Sequence, residues 1–468
     1  MTTPQDKALR PRSATHGAVA TAGLAAFLLA VTIVRTDRPF GDNMVHSALF
    51  IVGVTAAAIF LLDLGWQKVH LRAATGLDFS RDNPSWHRSL AKFAGLLGSM
   101  GFVGLLYWLL PEYHAAFYER YFSMLAIVLP AWAALALPYF FFVDRKMARP
   151  LDGYWHMGKL VTLQWGKEDG KVAGQHLLAW LIKGFFLPLM FTYMCNDLAR
   201  FVAADFALLT SFKAWFDLLY GFMYFIDVGL VVMGYLMALR ITDTHVRSAE
   251  PSMLGWAMAL ACYEPFWSLI GRQYLHYETG LQWGAWLWNT PLLYGIWGSA
   301  ILVLTAIYVW ATVIFGARFS NLTHRGIITN GPYRWTKHPA YVAKNLSWWM
   351  ISIPFMAHGS ADETLRHCLL LLALNGIYAM RAMTEERHLS QDPDYVAYAR
   401  WIDHNGMFRF LRVLPVLGNL RYGRRRRLSR APDYPTNRYP TPTSVIRCEG
   451  CAGSASSLCR RCPMYTRR

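Results

Sequence analysis

Long apolar runs, recurring along nearly the whole chain, constrain this sequence more than any other feature. A helix rises about 1.5 Å per residue, so about 20 apolar residues cross a hydrocarbon core of about 30 Å. Ten stretches approach that length: 17–34, 46–64, 90–110, 121–143, 176–201, 214–239, 253–271, 287–315, 341–357 and 365–383. With 54% hydrophobic and only 16% charged residues, the expected fold is all-α, a polytopic membrane protein with about ten transmembrane helices. The first run ends in Arg35-Thr36-Asp37-Arg38 rather than at small residues, which reads as a first span and not as a cleaved signal peptide.

The cations fall in alternate loops. Lys7, Arg10 and Arg12 precede the first run; Lys68, Arg72, Arg81 and Arg88 follow the second; Arg145, Lys146, Arg149 and Lys159 follow the fourth. Arg240 and Arg247 follow the sixth, and Arg318, Arg325, Arg334 and Lys337 follow the eighth. The positive-inside rule then predicts both termini on the cytoplasmic side, in a multi-pass integral membrane protein. Much of the net charge of +17 sits after Arg409, including Arg424 to Arg427. On a membrane protein such a tail is expected against anionic lipid, with no nucleic-acid partner. The expected division is a multi-span region of unassigned role over 1–250, a C-terminal module over 251–415 and a basic, disordered tail over 416–468.

Two polar stretches flank the last hydrophobic hairpin. The first is Gly331-Pro332-Tyr333-Arg334-Trp335-Thr336-Lys337-His338-Pro339-Ala340-Tyr341; the second is Arg381-Ala382-Met383-Thr384-Glu385-Glu386, followed by Tyr395-Val396-Ala397-Tyr398. Gly-Pro makes a tight turn, and Pro339 holds His338 extended just before a helix starts. Extended backbone at a membrane face leaves N–H and C=O groups that need a protein or ligand partner. Tyr333, Trp335 and Tyr341 suit the walls of a pocket for a flat base. Arg381 and Glu385, four apart, share a helix face. Taken singly, each residue is also accounted for by interfacial anchoring, with Lys and Arg snorkelling and Tyr and Trp in the aromatic belt.

Together, in this order and spacing, the stretches resemble the isoprenylcysteine carboxyl methyltransferase family and its relatives among membrane phospholipid methyltransferases. The resemblance covers about 287–412 and implies an enzyme that moves a methyl group from S-adenosyl-L-methionine to a lipid-linked or hydrophobic acceptor at the cytoplasmic interface. It implies that Gly331, Pro332, Tyr333, His338, Pro339, Tyr341, Glu385 and Glu386 bind the cofactor, and that Arg381 and Glu386 serve catalysis. The sequence departs from the pattern at Lys337, where Arg is commoner, at Ala343, where Gly is common, and at the basic pair Arg387-His388 after the acids. A second reading, from ten-span sterol reductases with a similar His-Pro segment, implies NADPH instead. A third is a transporter or a non-catalytic scaffold. Membrane lipids are the expected partners in the first reading.

Asp197, Asp227 and Glu264 fall inside expected spans, where a charge is expected either to pair locally or to line a cavity. Cys448, Cys451, Cys459 and Cys462 form two Cys-x-x-Cys pairs, the donor set of tetrahedral zinc, although the tail around them has little to fold on.

Overall fold

The structure, a computed structural model, describes residues 10–410 except 165, 167, 168, 279, 280 and 357–359. The basic tail and its four cysteines lie outside the described residues. The helices are α1 (Gly17–Thr36), α2 (Met44–Gly65), α3 (Trp86–Leu109), α4 (Glu119–Asp144), α5 (Gly153–Val161), α6 (Asp169–Ala203) and α7 (Phe212–Leu236). They continue as α8 (Met253–Leu260), α9 (Trp283–Leu287), α10 (Pro291–Val313), α11 (Pro339–Ser352), α12 (Ala361–Leu389) and α13 (Pro393–Asn405). A short antiparallel ladder joins β1 (Ser248–Ala249) to β2 (Thr323–His324), with Ser248 opposite His324. The protein is an all-α polytopic membrane protein.

Eight helices among the described residues are long and apolar enough to span, rather than ten. The expected seventh span stops as a helix at Leu260, because Pro265 has no N–H for the next turn, and resumes only as a π-helical stretch, Ser268–Tyr274. The expected ninth is α11, of 14 residues, about 21 Å long and ended at Ile353 by a left-handed residue followed by Pro354. Both segments still lead from one end of the bundle to the other. Glu250 N–H donates to Leu322 C=O at one end, while Trp283 and Ile353 pack with Phe216 and Tyr294 at the opposite end.

Among the described residues, the basic loops gather at the first of these ends. Ala14 N–H donates to Ile327 C=O at 2.8 Å, and Arg72 to Ala14 C=O at 2.7 Å. Asp78 N–H donates to Lys146 C=O at 2.7 Å, and Arg240 to Thr75 C=O at 2.9 Å. The intramembrane acids are satisfied locally. Asp227 accepts from the hydroxyls of Tyr308 and Thr312, Asp197 pairs with Arg200, and Glu264 accepts from Ser268 and lies 3.1 Å from Arg272. Cys195 is buried, and Cys195, Cys262 and Cys368 are free thiols.

Helix α5 is a short amphipathic piece pressed onto α3, with Asp152 capping its first turn. Gly95 and Gly158 make the approach possible: a Cβ on Gly95 would fall 1.9 Å from Tyr154 C=O, and one on Gly158 1.9 Å from Ala91 C=O. Below the contact, buried Lys92 pairs with Asp144 at 2.8 Å and Asp152 at 3.4 Å. Gly158→Val is therefore expected to part the two helices and lower the melting temperature in detergent by several degrees, an overpacking cost of at least about 1–3 kcal/mol. An unchanged melting curve would show that the contact is dispensable.

Candidate functional site

The first polar stretch folds as a series of constrained turns. Gly331 adopts φ +57°, and a Cβ there would meet Ile314 at 2.9 Å. Gly331–Arg334 then makes one 3-10 turn with Pro332 inside it. Pro339 occupies the first turn of α11, where its missing N–H costs nothing, and His338 precedes it at the cap. Tyr333 is packed edge-on to Phe315, and its C=O accepts from Tyr398 Oη at 2.6 Å, so α13 clamps the turn from outside. Burial pushes the Tyr333 and Tyr398 phenols well above their ordinary range.

The two feet of the last hairpin meet directly. His338 Nε2 is 2.9 Å from Glu386 Oε1, and Lys337 Nζ donates to Glu386 Oε2 at 2.8 Å. Tyr341 Oη donates to Glu385 Oε2 at 3.0 Å, and its ring stacks on His338 with centroids 5.4 Å apart. One turn back on α12, Arg381 donates to Asn321 Oδ1 at 2.6 Å and lies over the rings of Tyr263 and Tyr341. Arg381 is buried, and among the described residues no carboxylate is ion-paired with it.

Around these groups lies a cavity of about 160 Å³. Of the residues expected from the sequence, Tyr333, His338, Tyr341, Arg381 and Glu385 line it. Gly331, Pro332, Pro339 and Glu386 stand behind that wall: they shape the turn and tie the hairpin. Trp335, expected as a wall, is 43% exposed and packs instead against Trp310. The sequence reading missed Tyr263, Tyr308, Asn321, Lys344, Tyr378 and His388, all of which line the cavity. Helical spacing would have found some of them: His388 is one turn beyond Glu385, and Lys344 one turn beyond Tyr341.

Asn321 is placed from several sides. Its N–H donates to Tyr235 Oη at 3.0 Å, its Nδ2 to Tyr263 Oη at 3.3 Å, and its Oδ1 accepts from Arg381. The loop carrying it is pinned by Arg325, which donates to the C=O groups of Thr244, Gly234 and Phe319 at 2.6, 2.7 and 2.8 Å. Burial pulls Arg325 down to about 9. Arg318, three residues before Asn321, is paired with Asp243 at 3.0 Å.

Residues 292–391 match the model of the isoprenylcysteine carboxyl methyltransferase (ICMT) family. The C-terminal third carries an ICMT-family domain. No curated protein and no solved structure matches the chain. The matched residues run from the start of α10 through the end of α12, so the ICMT-family domain contains Tyr333, His338, Tyr341, Arg381 and Glu385, while Tyr395 and Tyr398, which also line the cavity, lie just beyond it. It supports a membrane methyltransferase. Tyr263, which contributes to the wall around Arg381, lies outside the match, as do α1–α7.

Proposed function

We propose that the protein is an S-adenosyl-L-methionine-dependent methyltransferase that modifies a hydrophobic or lipid-linked acceptor, with its site at the cytoplasmic face. The supporting observation is the set of groups that converges on the cavity: an aromatic wall, the Glu385 carboxylate and the Arg381 guanidinium, which donates to Asn321 and among the described residues meets no carboxylate. These fit the donor. Aromatic rings favour a cation against their faces. A carboxylate accepts from an ammonium or from ribose hydroxyls, and a buried guanidinium without an anion suits a carboxylate. The placement of the basic loops at one end of the bundle supports the orientation by the positive-inside rule.

When bound, S-adenosyl-L-methionine supplies an electrophilic methyl group on a sulfonium. The chain's own contribution is alignment and exclusion of water. Glu385 and Arg381 hold the polar end, Tyr341 and His338 present stacked faces, and the Lys337–Glu386–His338 bonds keep the hairpin feet closed over it. Gly331, Pro332 and Pro339 set the backbone that presents Tyr333 and His338 to the cofactor.

The deciding measurement is binding of labelled S-adenosyl-L-methionine and of NADPH to the purified protein in detergent. Binding of the first supports the reading, binding of NADPH alone replaces it with a reductase, and binding of neither leaves a scaffold or transporter. Arg381→Met keeps the stem that packs between Tyr263 and Tyr341 but removes the charge. It is expected to weaken labelled-donor binding at least about 10-fold, since a charge-assisted hydrogen bond contributes about 1.5–3 kcal/mol. Wild-type affinity in that variant would remove Arg381 from the donor site.

A further inference from the structure

The ladder of β1 and β2 lies against the last turn of α12 and assembles a group of side chains that donor binding leaves unused. His388 Nε2 is 2.9 Å from Ser248 Oγ, and His388 Nδ1 is 3.7 Å from Glu250 Oε2. Glu250 and His388 both line the cavity, although each is buried. Glu250 is held firmly: its Oε1 accepts from Ser252 N–H at 2.9 Å, and Gly255 leaves the space for it, a Cβ there falling 2.6 Å from Glu250 Cγ. Arg381, Glu385 and His388 are spaced by four and three residues, so one face of α12 carries all three.

A histidine placed between a hydroxyl and a carboxylate is set up to receive a proton. With Nε2–H donating to Ser248 Oγ, the lone pair is on Nδ1. A proton arriving there makes an imidazolium facing the Glu250 carboxylate. Methyl transfer to a carboxylate has no use for such a group, because the nucleophile is already ionised. Transfer to an amine, hydroxyl or thiol does, because each loses a proton on the way to product.

We propose that His388, positioned by Ser248 and Glu250, accepts the proton of the methyl acceptor, and that the acceptor's nucleophile is an amine, hydroxyl or thiol rather than a carboxylate. This rests on the methyltransferase reading above. As the bond from the acceptor atom to the methyl carbon forms, the carbon–sulfur bond breaks and its electron pair stays on sulfur. The acceptor's own proton ends on His388 Nδ1. For an ammonium the proton leaves first and frees the lone pair that attacks. The charged and titratable groups facing His388 are Glu385 from α12 itself, Glu250 from the segment after β1, and His324 from β2, with Arg247 and Asp392 behind His324. Burial draws His324 down to about 3, with Arg247 and His388 adding to the shift.

The test uses membranes containing the full chain, tritiated S-adenosyl-L-methionine and the lipids already present, with His388→Gln and Glu250→Gln beside the wild type. Donor binding reports that each variant is folded. The expected wild-type product is methyl label that survives mild base, with a rate that climbs with pH along an acid limb. His388→Gln is expected to lose about 100-fold in rate, within the usual range for a proton-transfer group, and to lose the limb while still binding donor. Glu250→Gln is expected to shift the limb to lower pH, because the imidazolium loses its counter-charge. Label released by mild base as a methyl ester, or an unaltered rate and limb in His388→Gln, would overturn the proposal and leave the methyltransferase reading standing. A wild type that binds no donor would overturn both.

Discussion

Glu386→Ala is expected to abolish measurable donor binding, a loss of at least about 100-fold, while the chain still inserts and purifies. Both oxygens of this carboxylate are engaged across the hairpin, one with His338 and one with Lys337. The side chains of Lys337, His338 and Glu386 are 16%, 16% and 20% exposed, so the pair is mostly withdrawn from water. Removing one partner of such a pair leaves the other charge buried and uncompensated, at about 3–5 kcal/mol, and about 2.7 kcal/mol already suffices for 100-fold. The segment that carries Lys337 and His338 has little helical hydrogen bonding of its own to hold it in place. Glu386→Gln, which keeps an acceptor for one donor and loses the charge, is expected to fall between alanine and wild type. Glu385→Gln gives the contrast. Its side chain is 43% exposed and accepts from Tyr341, so the fold is expected to persist and donor affinity to fall by about 10-fold, the loss of a single charge-assisted hydrogen bond. Titration of labelled donor against all three variants, with thermal unfolding alongside, separates closure of the hairpin from contact with the cofactor. Equal effects at Glu385 and Glu386 would contradict that division.

Eight spans were readable because an apolar helix in lipid needs only length and composition, and α1–α4, α6, α7, α10 and α12 supply both. The two that differ fail for local reasons. Pro265 interrupts the hydrogen-bond ladder of one, and α11 is short because it starts only at Pro339 and ends at Ile353. The motif residues were equally readable as a set, since Gly331-Pro332, His338-Pro339 and Glu385-Glu386 are dense local signals. What each of them does was less so. Glu386 reads as a ligand-facing acid until its partners 48 and 49 residues earlier are seen to occupy both oxygens. Asn321 and Tyr263 left no comparable signal. They come from a loop and from the turn between α8 and Pro265, and only the packing brings them to Arg381 and the cavity.

The N-terminal helices lie outside the family match, yet they are wired to the cavity through Asp243. This residue is 1% exposed and accepts from Arg318 at 3.0 Å and Arg247 at 3.1 Å, with Arg72 at 3.9 Å. Arg72 comes from the loop after α2 and also donates to Ala14 ahead of α1. Arg318 opens the loop that delivers Asn321 to Arg381. Asp243→Asn isolates the charge: Asp243 has φ +55°, a left-handed conformation that Asn tolerates, so backbone strain does not enter. The variant leaves three guanidinium groups facing a neutral amide, two of them linked to the loops on either side. Burial already pulls Arg318 below the usual arginine range, and the Asp243 carboxylate opposes that shift. Losing that carboxylate is expected to cost about 3–5 kcal/mol, enough to lower the melting temperature by several degrees. Donor affinity is expected to fall together with stability, because the Arg318–Asn321 loop would no longer be fixed beneath Arg381. The exposed pair Arg145–Asp82 is the control: Asp82→Asn should move neither quantity by more than the few tenths of a kcal/mol typical of a surface ion pair. If Asp243→Asn melts early but binds donor normally, the N-terminal helices serve the bundle alone; if both change together, they are part of what holds the cavity around Arg381 in shape.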